Sequence, residues 1–166
     1  MSHKALQLLE YHVWANDRII NHLKALPEET YRSVIQSIFP SIAEALVHIY
    51  RIDSRWLHIM SGGTFEQILA LDKQVTEATE GISLDGIQAL YHEVAEKYRT
   101  FYSDKDLDAL KEYPHPTYGV MKASYADIIQ HLSNHGTYHR GNITAMLRQQ
   151  GHPGVPTDYA FFLYEI

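Results

Sequence analysis

The chain has 166 residues, of which 14 are Lys or Arg, 20 are Asp or Glu, 11 are His and none is Cys. Its net charge of −6 argues against nucleic acid as a partner, because phosphate binding needs a basic surface. Without Cys there is no disulfide, thiol nucleophile or cysteine-ligated metal site, so a transition metal would have to bind to imidazole. The length and a hydrophobic content of 45% predict one globular domain over residues 1–166.

The N-terminus and the apolar runs bear on where the protein is located. The first six residues lack the long apolar stretch of a signal peptide. No apolar run approaches the roughly 18 residues that a membrane-spanning helix needs. We therefore expect a cytoplasmic protein without a membrane partner.

Four segments have apolar residues at the spacing of an amphipathic helix. They cover residues 3–26, 41–61, 83–104 and 123–150. Pro27 ends the first segment, and Ser41 with Glu44 forms a capping box at the start of the second. Gly62 closes the second segment, and Gly151 closes the fourth.

Two further segments lie outside these helices. Residues 110–122 contain Pro114, Pro116 and Gly119 and predict either an irregular crossover or a short hairpin. The aromatic tail, residues 156–166, is expected to dock on the helices or on another subunit. Four long helices in one domain predict an all-α four-helix bundle with a long connection between the third and fourth helices.

The fourth predicted helix carries histidines on the face that should be buried. At 100° per residue, its apolar residues cluster around the direction of His139. His135 lies about 40° from that direction, one turn earlier on the same face. His131 lies about 80° away, at the edge of the face.

Polar residues also interrupt the apolar pattern of the first two helices. His48 borders the apolar face of the second helix, from which its side chain can turn inward. Asn16 and Asp17 lie within about 60° of Val13, taken as the centre of the buried face of the first helix. All of these positions are near the middle of their helices, so we expect them to meet at mid-height in the bundle.

Imidazoles that converge from two helices indicate a metal site. Three nitrogen ligands are the usual protein complement of a catalytic metal centre with one open position. The candidate ligands are His48, His135 and His139. Asp17 or Asp53 could close the fourth position, as in a structural site. The residues alone leave a second interpretation open, in which the histidines are hydrogen-bonded core residues.

Further polar residues are expected to surround the candidate ligands. Hydrogen bonds from such neighbours orient imidazole ligands and bound water. The candidates are Asn16, Asp17, His131 and Arg140.

Three segments of the chain resemble the DinB/YfiT-like family. They are Tyr11–Asn16, Ser41–Ile42 leading to His48, and Asn134–Asn142, of which the last is the most specific. The similarity runs over essentially the whole chain in the same order. One departure is Asn142, where the family usually has Gln.

The resemblance implies an up-down-down-up four-helix bundle that is often a homodimer. It also implies a divalent metal, zinc or nickel, bound by His48, His135 and His139. Relatives include thiol-dependent S-transferases and isomerases that use bacillithiol, mycothiol or glutathione. The resemblance therefore favours a metal-dependent enzyme acting on a small molecule, with thiol transfer as the leading reaction. A metal-dependent hydrolase and a non-catalytic metal-binding stress-response protein are the alternatives.

Overall fold

The structure, a computed structural model, describes residues 3–166, so the first two residues of the predicted domain lie outside it. The described chain is mostly helical and carries one small two-stranded sheet. In chain order the elements are α1 (Lys4–Lys24), α2 (Glu28–Arg32), α3 (Ile42–Met60), α4 (Phe65–Thr79), α5 (Leu84–Tyr102), β1 (Leu110–His115), β2 (Gly119–Ser124), α6 (Tyr125–Gln149) and α7 (Tyr159–Leu163).

The four predicted helices correspond to α1, α3, α5 and α6, and every boundary agrees within two residues. The caps account for this agreement. The side chain of Ser41 accepts a hydrogen bond from the Glu44 backbone, as the capping box predicts. At the start of α6, Ser124 and Asp127 form a reciprocal capping box.

A fifth long helix, α4, was not predicted. Only Ile68, Val75 and Thr79 of its 15 residues are buried, because α4 packs mainly against α3 on the outside of the protein. Three buried side chains make too narrow an apolar stripe for the periodicity to indicate a helix. A capping box at Thr64 and Gln67 is the local signal for its start.

The segment between α5 and α6 forms a hairpin, which confirms one of the two predicted alternatives. Strands β1 and β2 pair antiparallel, from Leu110 opposite Ser124 to His115 opposite Gly119. Gly119 has a φ of +82°, a left-handed conformation that side chains other than glycine rarely adopt. Gly119 therefore lies where the hairpin reverses.

The core lies between α1, α3, α5 and α6, and it is divided into two apolar clusters. One cluster contains Leu9 near the start of α1, and the other contains Leu23 near its end. Between the two clusters lies a layer of buried polar side chains. This layer consists of His12, Asn16, Asp53 and Arg140.

The aromatic tail docks on α1, which confirms that part of the prediction. Phe162 is buried against Tyr11 and Ala15. The Tyr11 hydroxyl donates a hydrogen bond to the Thr157 carbonyl at 2.9 Å. Within residues 3–166, no helix is both long and apolar enough to span a bilayer.

Candidate metal centre

Three histidines from two helices converge at one point of the structure. Nε2 of His135 lies 3.2 Å from Nε2 of His48 and 3.1 Å from Nε2 of His139. One candidate ligand atom from each of the three lies within 4.8 Å of the other two. His135 and His139 are four residues apart on α6, so one turn of helix stacks them, and His48 reaches them from α3.

The number of available donors favours a shared ion over a set of hydrogen bonds, and the distances are compatible with one. Nitrogen atoms about 2.0–2.1 Å from a tetrahedral zinc ion lie roughly 3.3–3.4 Å apart, close to the two separations in the cluster. An uncharged imidazole has one N–H donor, so Nε2 of His135 can donate to only one of its two neighbours. A cation at the centre would satisfy all three lone pairs at once.

The electrostatics of the cluster keep its imidazoles in the form that binds a metal. Burial, followed by the neighbouring histidines with His139 first, lowers the pKa of His135 to about 3. Burial, together with nearby His48, lowers the pKa of His139 to about 4. The pKa of His48 is also lowered, mainly by burial and then by the positive charges of Arg51 and Arg55. At neutral pH all three side chains are therefore uncharged and have a free lone pair.

The cluster is closed on one side and reaches the surface on another. Phe39 packs against the rings of His48 and His139, with centroids 5.2 and 5.3 Å apart. His139 is buried, whereas His48 and His135 are half-buried. The cluster therefore has one ring in the core and two rings that are partly exposed.

The nitrogen atoms that face away from the cluster differ in their partners. Nδ1 of His139 lies 3.3 Å from the side-chain amide of Asn142. If Nε2 of His139 holds a metal, Nδ1 carries the proton, and the amide must turn its oxygen toward it. Nδ1 of His135 is buried and has no hydrogen-bond partner among residues 3–166.

A second group of polar residues lies behind the cluster, in the layer between the two apolar clusters. His12 Nε2 lies 2.9 Å from Asp53 Oδ2, and His12 Nδ1 lies 3.4 Å from Nη1 of Arg140. Arg140 also donates to Asn16 Oδ1 at 2.8 Å and to Thr137 Oγ1 at 3.0 Å. The group therefore joins α1, α3 and α6.

Gly136 makes room for this group on α6. A Cβ atom at position 136 would lie 2.4 Å from Cε1 of His12 and 2.6 Å from Nη1 of Arg140. Real Cβ atoms essentially never show contacts under 3.0 Å, so the position accepts His12 only as glycine. At Gly141, in contrast, an added Cβ would meet nothing within 4 Å.

Comparisons with known proteins identify the family of the chain. The sequence profile of the DinB family matches residues 1–165. The chain belongs to the DinB family. It is 44% identical to Protein DinB of Bacillus subtilis (strain 168) over 165 residues, which cover 99% of this chain and 96% of that protein.

The resemblance of the sequence to the DinB family is thus confirmed, and the structure brings its three implied ligands together. It does not bring Asp17 to the cluster. The Asp17 carboxylate instead contacts Nε2 of His92 at 2.8 Å and accepts a hydrogen bond from Gln88 at 2.9 Å. Asp53 lies in the layer behind the cluster, and within residues 3–166 no carboxylate joins the three histidines.

The other residues expected around the ligands have separate positions. Asn16 and Arg140 bind each other in the buried layer. His131 is exposed, packs edge-on against Trp56 at 5.3 Å, and has its ring centroid 5.9 Å from that of His135. Of the expected neighbours, His131 is therefore the one whose ring packs beside a ligand ring.

Sequence reasoning missed His12 as a member of the site of this DinB-family protein. The prediction centred the buried face of α1 on Val13, which the structure shows to be half-buried. The buried residues of α1 include Leu9, His12, Asn16 and Leu23. Their mean direction lies roughly 70° from Val13, which places His12 and Asn16 inside the core and Asp17 at its edge. The spacing of these four residues was the signal that could have identified His12.

Proposed function

We propose that this DinB-family protein binds a divalent metal ion through His48, His135 and His139. The observation that carries the proposal is the convergence of three uncharged imidazoles with no carboxylate among them. Three protein ligands leave a position for an exchangeable ligand, which is the arrangement of catalytic rather than structural zinc sites. Imidazole ligands suit zinc and nickel, which we propose as the metals.

We further propose that the protein is a metal-dependent enzyme, with transfer of a small-molecule thiol as its reaction. A divalent ion held by three imidazoles acts as a Lewis acid and lowers the pKa of a thiol that binds to it. In the transfer, the sulfur forms a bond to an electrophilic carbon, the leaving group departs with its bonding electrons, and the thiol proton passes to solvent. The chain has no Cys, so the thiol comes from a cosubstrate.

The chain's own residues would serve this reaction in three ways. The three histidines hold the ion, and Phe39 excludes water from one side of them. Arg51 and Arg55 place positive charge near His48, which favours the approach of an anionic ligand. Arg55 shares its charge with Asp72 in a two-fold hydrogen bond, whereas Arg51 forms no ion pair within residues 3–166.

Metal content tests the first part of the proposal. Purified protein loaded with Zn²⁺ or Ni²⁺ is expected to retain about one ion per chain after gel filtration. Alanine at position 48, 135 or 139 should weaken binding by more than about 100-fold, because each substitution removes a ligand. His92→Ala is the matched control, since His92 is exposed on α5 and lies outside the cluster. Equal metal retention by all four variants would contradict the proposal.

Turnover tests the second part. Monochlorobimane is mixed with glutathione, bacillithiol or 2-mercaptoethanol, and thioether formation is followed with the metal-loaded protein and with the His135→Ala variant. Metal-dependent formation of the thioether and chloride with one of the thiols supports the transferase. Stoichiometric metal binding without turnover of any thiol favours a non-catalytic metal-binding protein, and metal-dependent ester cleavage favours a hydrolase.

We also propose that the four long helices form an up-down-down-up bundle. The start of α1 and the start of α6 share one apolar cluster with the ends of α3 and α5, as Leu9, Leu132, Met60 and Tyr98 illustrate. This sharing supports two parallel helices running opposite to the other two.

A homodimer is a further proposal. The outward side of the tail carries exposed apolar residues, which are Phe161, Leu163, Tyr164 and Ile166. Exposed apolar groups in one segment are typical of contact surfaces. Light scattering with the wild type and with a Leu163→Glu variant tests it, since a dimer formed through the tail should dissociate in the variant.

A further inference from the structure

The buried layer behind the metal centre contains two charged groups of opposite sign. Asp53 is 2% exposed and Arg140 is 1% exposed. No direct ion pair joins them, and between them lies the ring of His12, which is 4% exposed. An isolated buried charge is costly, so a group that connects the two charges stabilises the fold.

The donors and acceptors in this layer determine how His12 connects the charges. A guanidinium can only donate, so Nδ1 of His12 accepts from Arg140. Nε2 of His12 then carries the proton and donates a hydrogen bond to the Asp53 carboxylate at 2.9 Å, so the Asn16 amide nitrogen, 3.1 Å from the same Nε2, does not donate to it. The result is a continuous chain of hydrogen bonds, Arg140 to His12 to Asp53, which we call the His12 bridge.

The ends of the His12 bridge lie on the two helices that carry the candidate metal ligands. Asp53 is five residues after His48 on α3, and Arg140 directly follows His139 on α6. The ring of His12 lies against Gly136, the residue that follows His135. The bridge therefore contacts α3 and α6 within about one and a half turns of every ligand.

We propose that His12 is a positioning residue that sets the separation of α3 and α6 at the metal centre and thereby its affinity and coordination geometry. The inference rests on the proposed function, because it requires the three histidines to hold a metal. His12 itself does not bind the ion. Its hydrogen bonds with Asp53 and Arg140 hold α3 and α6 at a fixed separation behind the ligands. Residues that form hydrogen bonds behind metal ligands orient those ligands in general.

The remaining polar atoms show why the position of His12 is tightly determined. Oδ1 of Asp53 and Nε of Arg140 are buried without a hydrogen-bond partner among residues 3–166. Loss of the bridge would leave each charged group with still fewer partners in the core. The helices would then have to shift or admit water, and either change moves the ligands.

Cobalt binding tests the proposal, because Co²⁺ reports its own coordination through visible absorption bands. His12→Leu removes both hydrogen bonds of the bridge at similar volume. His12→Gln keeps one acceptor for Arg140 and one donor for Asp53. Leu23→Ala is the control, since Leu23 is buried at the far end of α1 and its loss destabilises the fold without touching the bridge.

All variants are titrated with Co²⁺ at a temperature where circular dichroism shows them folded. His12→Leu is expected to bind about tenfold to 100-fold more weakly and with shifted bands. His12→Gln and Leu23→Ala should remain within about threefold of the wild type. Wild-type affinity and bands in His12→Leu, or an equal loss in Leu23→Ala, would overturn the proposal.

Misfolding of His12→Leu and the absence of Co²⁺ bands in the wild type have different consequences. If His12→Leu does not fold, Arg140→Lys takes its place, since an ammonium cannot contact His12, Asn16 and Thr137 together, and the same loss of Co²⁺ affinity is expected. If the wild type itself gives no Co²⁺ bands, the proposed function fails and the positioning role fails with it. If only the positioning role of His12 is wrong, the wild type still gives Co²⁺ bands.

Discussion

The ring of His12 occupies the space that a side chain at Gly136 would need, because a Cβ there would lie 2.4 Å from Cε1 of His12. The helix α6 thus accepts an imidazole from α1 at the residue that directly follows His135, within the helical turn that separates its two candidate ligands. This contact places a buried polar layer directly behind the metal centre.

Gly136→Ala is expected to lower the free energy of unfolding by about 1–3 kcal/mol, because the new methyl group displaces His12 and Arg140. Gly141→Ala is the matched control on the same helix. An added Cβ there meets nothing, so the better helix propensity of Ala should stabilise the protein by up to about 1 kcal/mol. Urea unfolding measures both changes, and a stabilised Gly136→Ala variant would contradict the close contact.

The stability of the metal-free protein should depend on pH through the histidine cluster. The folded-state pKa values of His135 and His139, about 3 and about 4, lie below the value of about 6.5 in an unfolded chain. Between these values the unfolded state binds more protons than the folded state. The free energy of unfolding therefore falls as the pH is lowered from 7 toward 4.

Urea unfolding in the presence of a chelator at pH 7, 6 and 5 checks this dependence. The double variant His135→Ala, His139→Ala is the control, and its stability should change less over the same interval. The pH is kept at 5 or above so that most carboxylates stay ionised in both states. Identical slopes for the variant and the wild type would show that other groups cause the loss.

The convergence of the three candidate ligands could be predicted because it needed little more than local information. His135 and His139 are one turn apart on a long helix whose apolar face is unambiguous, so 100° per residue places both correctly. His48 lies at mid-height on α3, and helices of similar length bring such positions together. Periodicity and caps also sufficed for α1, α3, α5 and α6.

The buried layer could not be predicted in the same way. On α1 the apolar residues point in several directions, as Leu8, Val13 and Trp14 do, and a centre at Val13 treated Asn16 and Asp17 as equivalent. The structure separates them, since Asn16 is buried and Asp17 pairs with His92 on α5. Which edge of a helix meets which neighbour depends on tertiary packing. The same limit applies to α4, whose contact with a single helix leaves a weak apolar signal.

Asn142 is expected to orient His139 through Nδ1. Asn142→Leu removes the hydrogen-bond partner that lies 3.3 Å from this nitrogen and should weaken Zn²⁺ binding about tenfold or more. Asn142→Gln, the residue more usual in the family, should retain binding within about threefold. A competition titration with a chromogenic chelator measures both. Asn134→Leu, an exposed substitution on the same helix, is the control, and an equal loss there would refute a specific role.

Asp17→Asn and Asp53→Asn are the same chemical change in two environments. The Asp17 carboxylate faces His92 at a solvated edge, so its loss should cost at most about 1 kcal/mol and leave Zn²⁺ affinity unchanged. The Asp53 carboxylate is buried against His12, so its loss leaves Arg140 without a compensating charge and should cost about 3 kcal/mol or more. Urea unfolding in the presence of a chelator measures the stability of each variant, and a Zn²⁺ titration measures its metal affinity. Weaker Zn²⁺ binding by Asp17→Asn at unchanged stability would instead make Asp17 a ligand, which its contacts with His92 and Gln88 argue against.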